Sequence, residues 1–294
     1  MTPVIAIHGG AGTLRKADMT ASRAALYREA LGAALQAGNT VLQKGGTALD
    51  AVTATVVAME DSPLFNAGRG AVYNADARHE LDAAIMDGAT LCAGAVACVE
   101  RIRNPVLAAR AVMQHSPHVL LAGRGAERFA KKQELKMVNR EYFGTASRLE
   151  ALKRNLQSHH GTVGAVALDR DGNLAAATST GGYTGKLPGR IGDSALVGAG
   201  TYADNRACAV SGTGLGEAFI RAQVAYDIAA RMRYRRESLA GAARAALASV
   251  ALLGGDGGLV AVDRRGNVAM PFNSQGMYRA CIDRRGKRSI AIYR

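Results

Sequence analysis

The stretch "SHHGTVGAVALD", residues 158–169, decides how the rest of the chain is read. A polar run stops at Gly161, and Thr162 opens a series of small and apolar residues. Such a run reads as a buried strand, and a β-branched residue at its start is ordinary. The pair also admits a chemical reading. A threonine hydroxyl is a weak nucleophile at neutral pH and needs an adjacent base. A free α-amine, with a pKa of about 7.7–8.0, is partly neutral near pH 7 and can serve as that base within the same residue. Thr162 gains such an amine only if the bond after Gly161 is cut. Glycine at that place accepts strained backbone that other residues resist.

Upstream, "PVIAIHGG" (3–10) reads as a short buried strand ending at glycines. Thr20 to about Lys44 has helical composition, stopped by "KGG". Thr47 and Asp50 are spaced to cap a second helix that runs to about Glu60. "DSPLFNAGRGA" (61–71) is predicted to be a loop, and "HELDAAIMDG" (79–88) and "AGAVACVE" (93–100) two strands joined by a turn. "NPVLAARAVMQHS" (104–116) puts proline near the first helical position. "HVLLAG" (118–123) is another short strand. Residues 125–160 are the most polar long stretch and have helical composition to about Asn155.

Downstream, two segments resemble each other. "GAVALDRDGNLA" from Gly164 and "GLVAVDRRGNVA" from Gly258 both read as strand, Asp-x-x-Gly-Asn turn, strand. Between them Gly216–Met232 and Ser238–Leu252 read as helices. Strands, then helices, then strands do not suit a simple alternating βαβ chain. A layered α+β arrangement is predicted, with antiparallel sheets sandwiched by helices.

The 294 residues, 48% of them hydrophobic, allow one large domain or two and a sizeable core. With 35 Gly and only 6 Pro, tight turns inside a packed fold are expected rather than a flexible chain. The net charge of +13 invites a nucleic-acid reading. The charge is spread, however: 19 basic against 14 acidic residues before Thr162, and 18 against 10 from it onward. "RMRYRR" (231–236) and "RRGKR" (284–288) read as solvated faces, and neither zinc-finger spacing nor an aromatic RNA-binding pattern occurs. No nucleic-acid partner is expected. Cys92, Cys98, Cys208 and Cys281 form no C-x-x-C pair, and "MTPVIAIHGG" lacks the marks of a secretory leader, so a reducing cytoplasm is expected. No apolar run approaches the roughly 20 residues of a membrane span.

Two further stretches carry chemistry. "TSTGGYTGKLPGRIGDSALVGAGTYAD" (178–204) packs hydroxyls and glycines around Arg190 and Asp193. Arginine offers a fork for a carboxylate, and aspartate accepts from an ammonium, so the two can grip the zwitterionic end of an amino acid. A surface ion pair three residues apart is the competing reading. In "AVSGTGLGEAFIRA" (209–222) a strand runs into Gly-Thr-Gly and then opens a helix, where backbone N–H groups can hold an oxyanion. The lysine of a phosphate-binding loop is missing there.

With these stretches on hand, the sequence resembles the plant-type L-asparaginases, or isoaspartyl aminopeptidases, of the N-terminal-nucleophile (Ntn) hydrolase superfamily. The resemblance spans nearly the whole chain. It rests on "IAIHGGAGT" (5–13), "PLFNAGRGAV" (63–72), "HELDAAIMDG", "NPVLAARAVM" (104–113), "GTVGAVALD", "TSTGG", "GRIGDS" (189–194), "GAGTYAD" (198–204) and "GTGLGE" (212–217). It implies a four-layer αββα sandwich cut between Gly161 and Thr162. Residues 1–161, ending in a linker from about 144, would form an α subunit, and 162–294 a β subunit of one domain. Thr162 would be the nucleophile, assisted by Thr180. Thr213 and the Gly214 N–H would form the oxyanion hole. Arg190 would clamp the substrate α-carboxylate, and Asp193 with Gly216 its amine. Asn66 and Gly10 would support the nucleophile. The backbone carbonyls of Met59, Glu60, Ser62, Phe65, Ala67 and Arg69 would hold a structural sodium ion, with no catalytic cofactor. The substrates implied are β-aspartyl dipeptides and L-asparagine, and the assembly a dimer of cleaved αβ units.

Two departures qualify the resemblance. The tether "ALKRNLQSHHGT" before the cut is short for the family, which bears on the speed of autocleavage; His159 and His160 read as solvated linker residues. Arg69 stands where relatives often carry a small or apolar residue, and a cation there could alter substrate range. The competing readings are a glycosylasparaginase-type hydrolase and a non-processing basic relative with a binding role.

Overall fold

The computed structural model describes residues 1–12, 14–154 and 161–294. The chain opens with β1 (Val4–Gly12), α1 (Ala21–Gln43), α2 (Ala48–Glu60), β2 (Leu81–Asp87), β3 (Ala93–Val99), α3 (Pro105–His115), β4 (Leu120–Ala122), α4 (Gly123–Lys132) and α5 (Ala146–Lys153). After Thr162 come β5 (Val163–Leu168), β6 (Leu174–Thr180), β7 (Thr201–Ala203), β8 (Cys208–Gly214), α6 (Gly216–Ala222), α7 (Val224–Tyr234) and α8 (Leu239–Leu252). β9 (Gly257–Asp263), β10 (Val268–Ala269), β11 (Gly276–Ile282) and β12 (Arg288–Ala291) complete it.

The strands form two sheets. One has eight strands in the order β12–β11–β1–β5–β6–β2–β3–β4, and the other four, β10–β9–β8–β7. Every pairing between these strands is antiparallel except β3 with β4. β5 shows why its sequence is apolar throughout: both of its faces are covered. Val163, Ala165 and Ala167 join the core beneath α1, α2 and α3, with Leu35, Val52 and Val56. Val166 and Leu168 point the other way, into the core shared with Val210 and Val260 of the second sheet and with Ile228 and Leu247 of α7 and α8. The result is helix, sheet, sheet, helix, the α+β sandwich predicted.

Local signals act as read. Thr20 Oγ1 accepts from the Arg23 N–H at 3.2 Å and Thr47 Oγ1 from the Asp50 N–H at 3.1 Å, capping α1 and α2. Asp169 Oδ1 accepts from the Asp171 and Asn173 N–H groups, and Asp263 Oδ1 does the same for Arg265 and Asn267. Gly172 and Gly266 complete these turns at φ of +82° and +75°. Asp283 and Gly286 repeat the device between β11 and β12, a third copy not anticipated.

Two expectations need correction. The polar stretch from 125 is not one helix to about Asn155. α4 ends at Lys132, and Glu134 sits at φ +56°. The chain then runs alongside residues 101–103, with the Val138 N–H donating to the Arg101 carbonyl and the Arg103 N–H to that of Lys136. α5 follows inside the segment assigned to the linker, whose last residues, 155–160 with His159 and His160, lie outside the described residues. The helix expected over Gly216–Met232 is broken at Gln223, in the left-handed region at φ 48°.

α1 crosses α2 at Gly38, where an added Cβ would lie 2.5 Å from Ile5 Cδ1 and 2.8 Å from the Ala51 carbonyl. Gly38→Val should cost about 1–3 kcal/mol through overpacking, read as a lower urea midpoint at unchanged slope.

Candidate active site

Thr162 stands immediately before β5, 6% exposed. Its hydroxyl donates to Thr180 Oγ1 at 3.1 Å, at the end of the neighbouring β6. The Gly182 N–H donates to the same Thr180 oxygen at 2.9 Å. Asn66 locks this turn: its Nδ2 donates to the Gly182 carbonyl at 2.6 Å, its Oδ1 accepts from the Val72 N–H at 2.9 Å, and its carbonyl accepts from the Gly181 N–H at 3.1 Å. The peptide ahead of Thr162 lies in a slot that glycines make possible. A Cβ on Gly10, at φ +112°, would come 2.8 Å from Gly161 Cα, and one on Gly161 would come 2.6 Å from Asn66 Cβ.

The opposite wall is the long connection from β6 to β7. Thr162, Thr180, Arg190, Asp193, Ser194 and Gly214 line one small cleft with Gly182 and Tyr183. The Arg190 guanidinium makes two bonds of 3.0 Å to the carboxylate of Glu217 and stacks 4.7 Å from the Tyr183 ring centre. Gly216 leaves room beside both charged groups, since a Cβ there would lie 2.6 Å from Arg190 Nη2 and 2.9 Å from Asp193 Oδ1. Thr213 is buried behind this wall and accepts from the Ala11 N–H at 3.2 Å, leaving its own hydroxyl proton to donate. Gly214, at φ +153°, brings the backbone to the cleft. A buried layer supports the connection: Lys186 Nζ donates to the Glu80 carbonyl at 2.7 Å, and the Gly189 N–H to Glu80 Oε1 at 2.9 Å.

Several members of the site were not singled out from the sequence. Glu217 and Tyr183 flank Arg190, and fully buried His8 bonds the Thr162 carbonyl through Nδ1 at 3.1 Å. Burial drives the His8 pKa down to about 3, against the pull of that carbonyl, so the ring is neutral. Glu60 lies beneath Thr180's neighbour, its Oε1 accepting from Ser179 Oγ at 2.6 Å and from the Val106 N–H at 3.0 Å. Burial pushes its carboxyl up to about 8, opposed by these bonds. His8 and Glu217 sit inside motifs already quoted, and only the fold reveals their partners.

The 59–70 loop folds its carbonyls inward. Gly70, at φ +100°, has room only because it lacks a Cβ, which would lie 2.5 Å from the Pro63 carbonyl and 2.7 Å from that of Phe65. The Glu60 carbonyl accepts from the Arg69 N–H at 2.7 Å, which leaves it a further lone pair, while that of Met59 accepts from both the Asp61 and Ser62 N–H groups. Such carbonyls suit a hard cation. The Arg69 side chain is exposed and does not line the cleft, so the expected influence on substrate range has no contact behind it. Among the described residues, no group of three or more His, Cys, Asp and Glu is placed to hold a metal ion.

Two face-to-face sheets between helical layers, with a threonine entering a central strand beside a narrow cleft, define the Ntn-hydrolase fold. The family model described as asparaginase matches residues 1–292. An isoaspartyl peptidase of Escherichia coli (strain K12) is 55% identical over 294 aligned residues, which cover 94% of this chain and 92% of that protein. An isoaspartyl peptidase/L-asparaginase of Danio rerio is 41% identical, covering 94% and 91%, and a probable isoaspartyl peptidase/L-asparaginase 2 of Arabidopsis thaliana is 38% identical, covering 98% of each. The chain belongs to the asparaginase family.

The depressed His8 pKa has a stability consequence. The unfolded ring takes up a proton below its ordinary 6.5 while the buried one stays neutral to about 3, so this contribution is full above 6.5 and lost as pH falls. The slope is about 1.4 kcal/mol per pH unit. The gap in unfolding free energy between wild type and His8→Asn should therefore shrink from about pH 7 to about pH 5, measured by urea unfolding.

Proposed function

We propose that this protein is an autocleaving amidohydrolase acting on β-aspartyl (isoaspartyl) dipeptides and L-asparagine through Thr162 as an N-terminal nucleophile. The observation that carries the reading is the Thr162 hydroxyl, buried at the head of β5 and 3.1 Å from Thr180 Oγ1, in one cleft with Arg190 and Asp193. The printed names of the relatives, isoaspartyl peptidase and isoaspartyl peptidase/L-asparaginase, point to the same substrates.

Cleavage after Gly161 frees the Thr162 amine. The amine takes the hydroxyl proton, and Oγ1 attacks the side-chain carbonyl of the substrate. The oxyanion is met by the Thr213 hydroxyl and the Gly214 N–H. The intermediate collapses to a β-aspartyl ester, and the proton held by the amine leaves with ammonia or the departing amino acid. Water then hydrolyses the ester. Thr180 holds the Oγ1 lone pairs and proton in register. Arg190 takes the α-carboxylate, for which the Glu217 carboxylate, already on its fork, is the internal stand-in. Asp193 and Gly216 receive the α-amine.

The carbonyls of Met59, Glu60, Ser62, Phe65, Ala67 and Arg69 would hold a structural sodium ion, whose role is to stiffen the loop that carries Asn66. We assign the active form as a dimer of cleaved αβ units. A cytoplasmic setting suits the four thiols, all free among the described residues. No helix among the described residues is long and apolar enough to cross a membrane.

Purified wild type should run as two fragments meeting at Gly161 and Thr162, and Thr162→Ala as one chain unable to release ammonia from asparagine or leucine from β-Asp-Leu. An active, uncut Thr162→Ala chain would refute the assignment. Thr213→Val should lower kcat by about 10²–10³ with KM nearly unchanged, since the hydroxyl meets charge that exists only in the transition state.

A further inference from the structure

Behind Thr162 runs a line of buried side chains that the chemistry above does not use. His8 of β1 places Nδ1 3.1 Å from the Thr162 carbonyl and Nε2 2.9 Å from Ser211 Oγ of β8. Ser211 Oγ lies 2.7 Å from Thr178 Oγ1 of β6, which lies 2.6 Å from Thr201 Oγ1 of β7. All four side chains are fully buried. Gly164 makes the line possible: a Cβ there would sit 2.5 Å from His8 Nε2 and against the Ser211 hydroxyl. The line passes three times between the two sheets, from β1 to β8, back to β6 and across to β7.

The protons along it have one order. A carbonyl only accepts, so His8 Nδ1 carries the hydrogen. The ring is neutral, so Nε2 accepts, and Ser211 donates to it. Ser211 then accepts from Thr178, whose single proton is thereby used, and Thr201 donates to Thr178. Both threonine protons fall on the shorter contact of their donor, since the Ser194 carbonyl lies 3.1 Å from Thr201 and the Gly200 carbonyl 3.5 Å from Thr178. The whole line points at Thr162.

Thr162 has need of such a hold. The β1–β5 ladder stops at the pair His8↔Gly164, and the β5–β6 ladder at Val163↔Ser179. Neither ladder includes Thr162. A cut after Gly161 also removes its covalent tether on the amino side. Holding the carbonyl fixes the peptide plane from which the amine and the hydroxyl project, while the contact with Thr180 Oγ1 sets the rotation about the Thr162 Cα–C bond. A register shift in β1 falls just after His8, between His8 and Gly10.

We propose that His8 is a positioning residue for Thr162, whose Nδ1–H fixes the carbonyl of the freed terminus while Ser211, Thr178 and Thr201 dictate the ring tautomer. The proposal rests on reading Thr162 as the cleaved nucleophile. His8→Asn and His8→Gln separate it from a purely structural role. An Asn amide reaches the place of Nδ1, and a Gln amide that of Nε2. On fully cleaved enzyme, His8→Asn should keep kcat within about five-fold and His8→Gln should lose about 10²-fold, both with KM within about three-fold, because misplacing a reacting group by 1 Å costs on that order. A role confined to holding Ser211 across the sheets predicts the reverse ranking, and equal activities would also overturn the proposal.

Nitrogen-15 NMR of the wild-type ring supplies a readout independent of turnover and of variant folding. It should show a neutral His8 protonated at Nδ1, and Ser211→Ala should admit the Nε2–H form. An Nε2–H ring in wild type, or a tautomer indifferent to Ser211→Ala, would sink the idea. A wild type that neither cuts itself nor hydrolyses β-Asp-Leu would instead remove the function assigned above, while the tautomer is still read on the intact chain.

Discussion

The register of β5 against β6 is the constraint on which the site depends. Thr162 reaches Thr180 because Val163 pairs with Ser179 and Leu168 with Leu174. A slip of one residue would turn every side chain of the strand to the opposite face. The Asp169 turn prevents it: its carboxylate takes two N–H groups of the turn through Oδ1, and a third, from Ala48 at the start of α2, through Oδ2. A surface hairpin thus determines, about six residues away along each strand, which hydroxyls meet in the cleft.

The site is polar in a setting that is not. Burial holds His8 neutral and raises the Glu60 and Asp82 carboxyls, Lys186 pulling the latter back toward the charged form. The charged side chains nearest Thr162 in and beside the cleft are Arg190, Glu217 and Asp193. A bidentate arginine already partnered by a carboxylate is preorganised in orientation, at the cost that an incoming carboxylate must compete for the same donors. Exposed arginines lie elsewhere, on α4, just after α7 and in the β11–β12 turn.

Much of this was legible in the sequence, because it is written in local chemistry. Thr47 caps what its spacing suggests, α1 starts next to Thr20 where helical composition begins, Pro105 opens its helix, and the Asp-Gly turns close hairpins where predicted. Gly161–Thr162, Arg190 and Asp193 are all within reach of the same cleft or its slot. What escaped reading is long-range. Nothing near His8 announces Ser211, 203 residues later, and nothing near Arg190 announces Glu217. The polar stretch after Gly125 misled for a related reason: helix-favouring composition yields to the backbone bonds that residues 136 and 138 make with residues 101 and 103. At Gln223 a left-handed residue interrupts an apolar period that continues across it.

The order of strands in the large sheet has a mechanical implication. β1 comes from the part of the chain before Thr162, yet it lies between β11 and β5 from the part after it, and β2 from the first part flanks β6 from the second. Pulling the two segments apart would unzip both sides of β1 at once. A nick at Gly161 therefore leaves a molecule that is interlaced like clasped fingers, able to lose a bond at its chemical centre without loosening its frame.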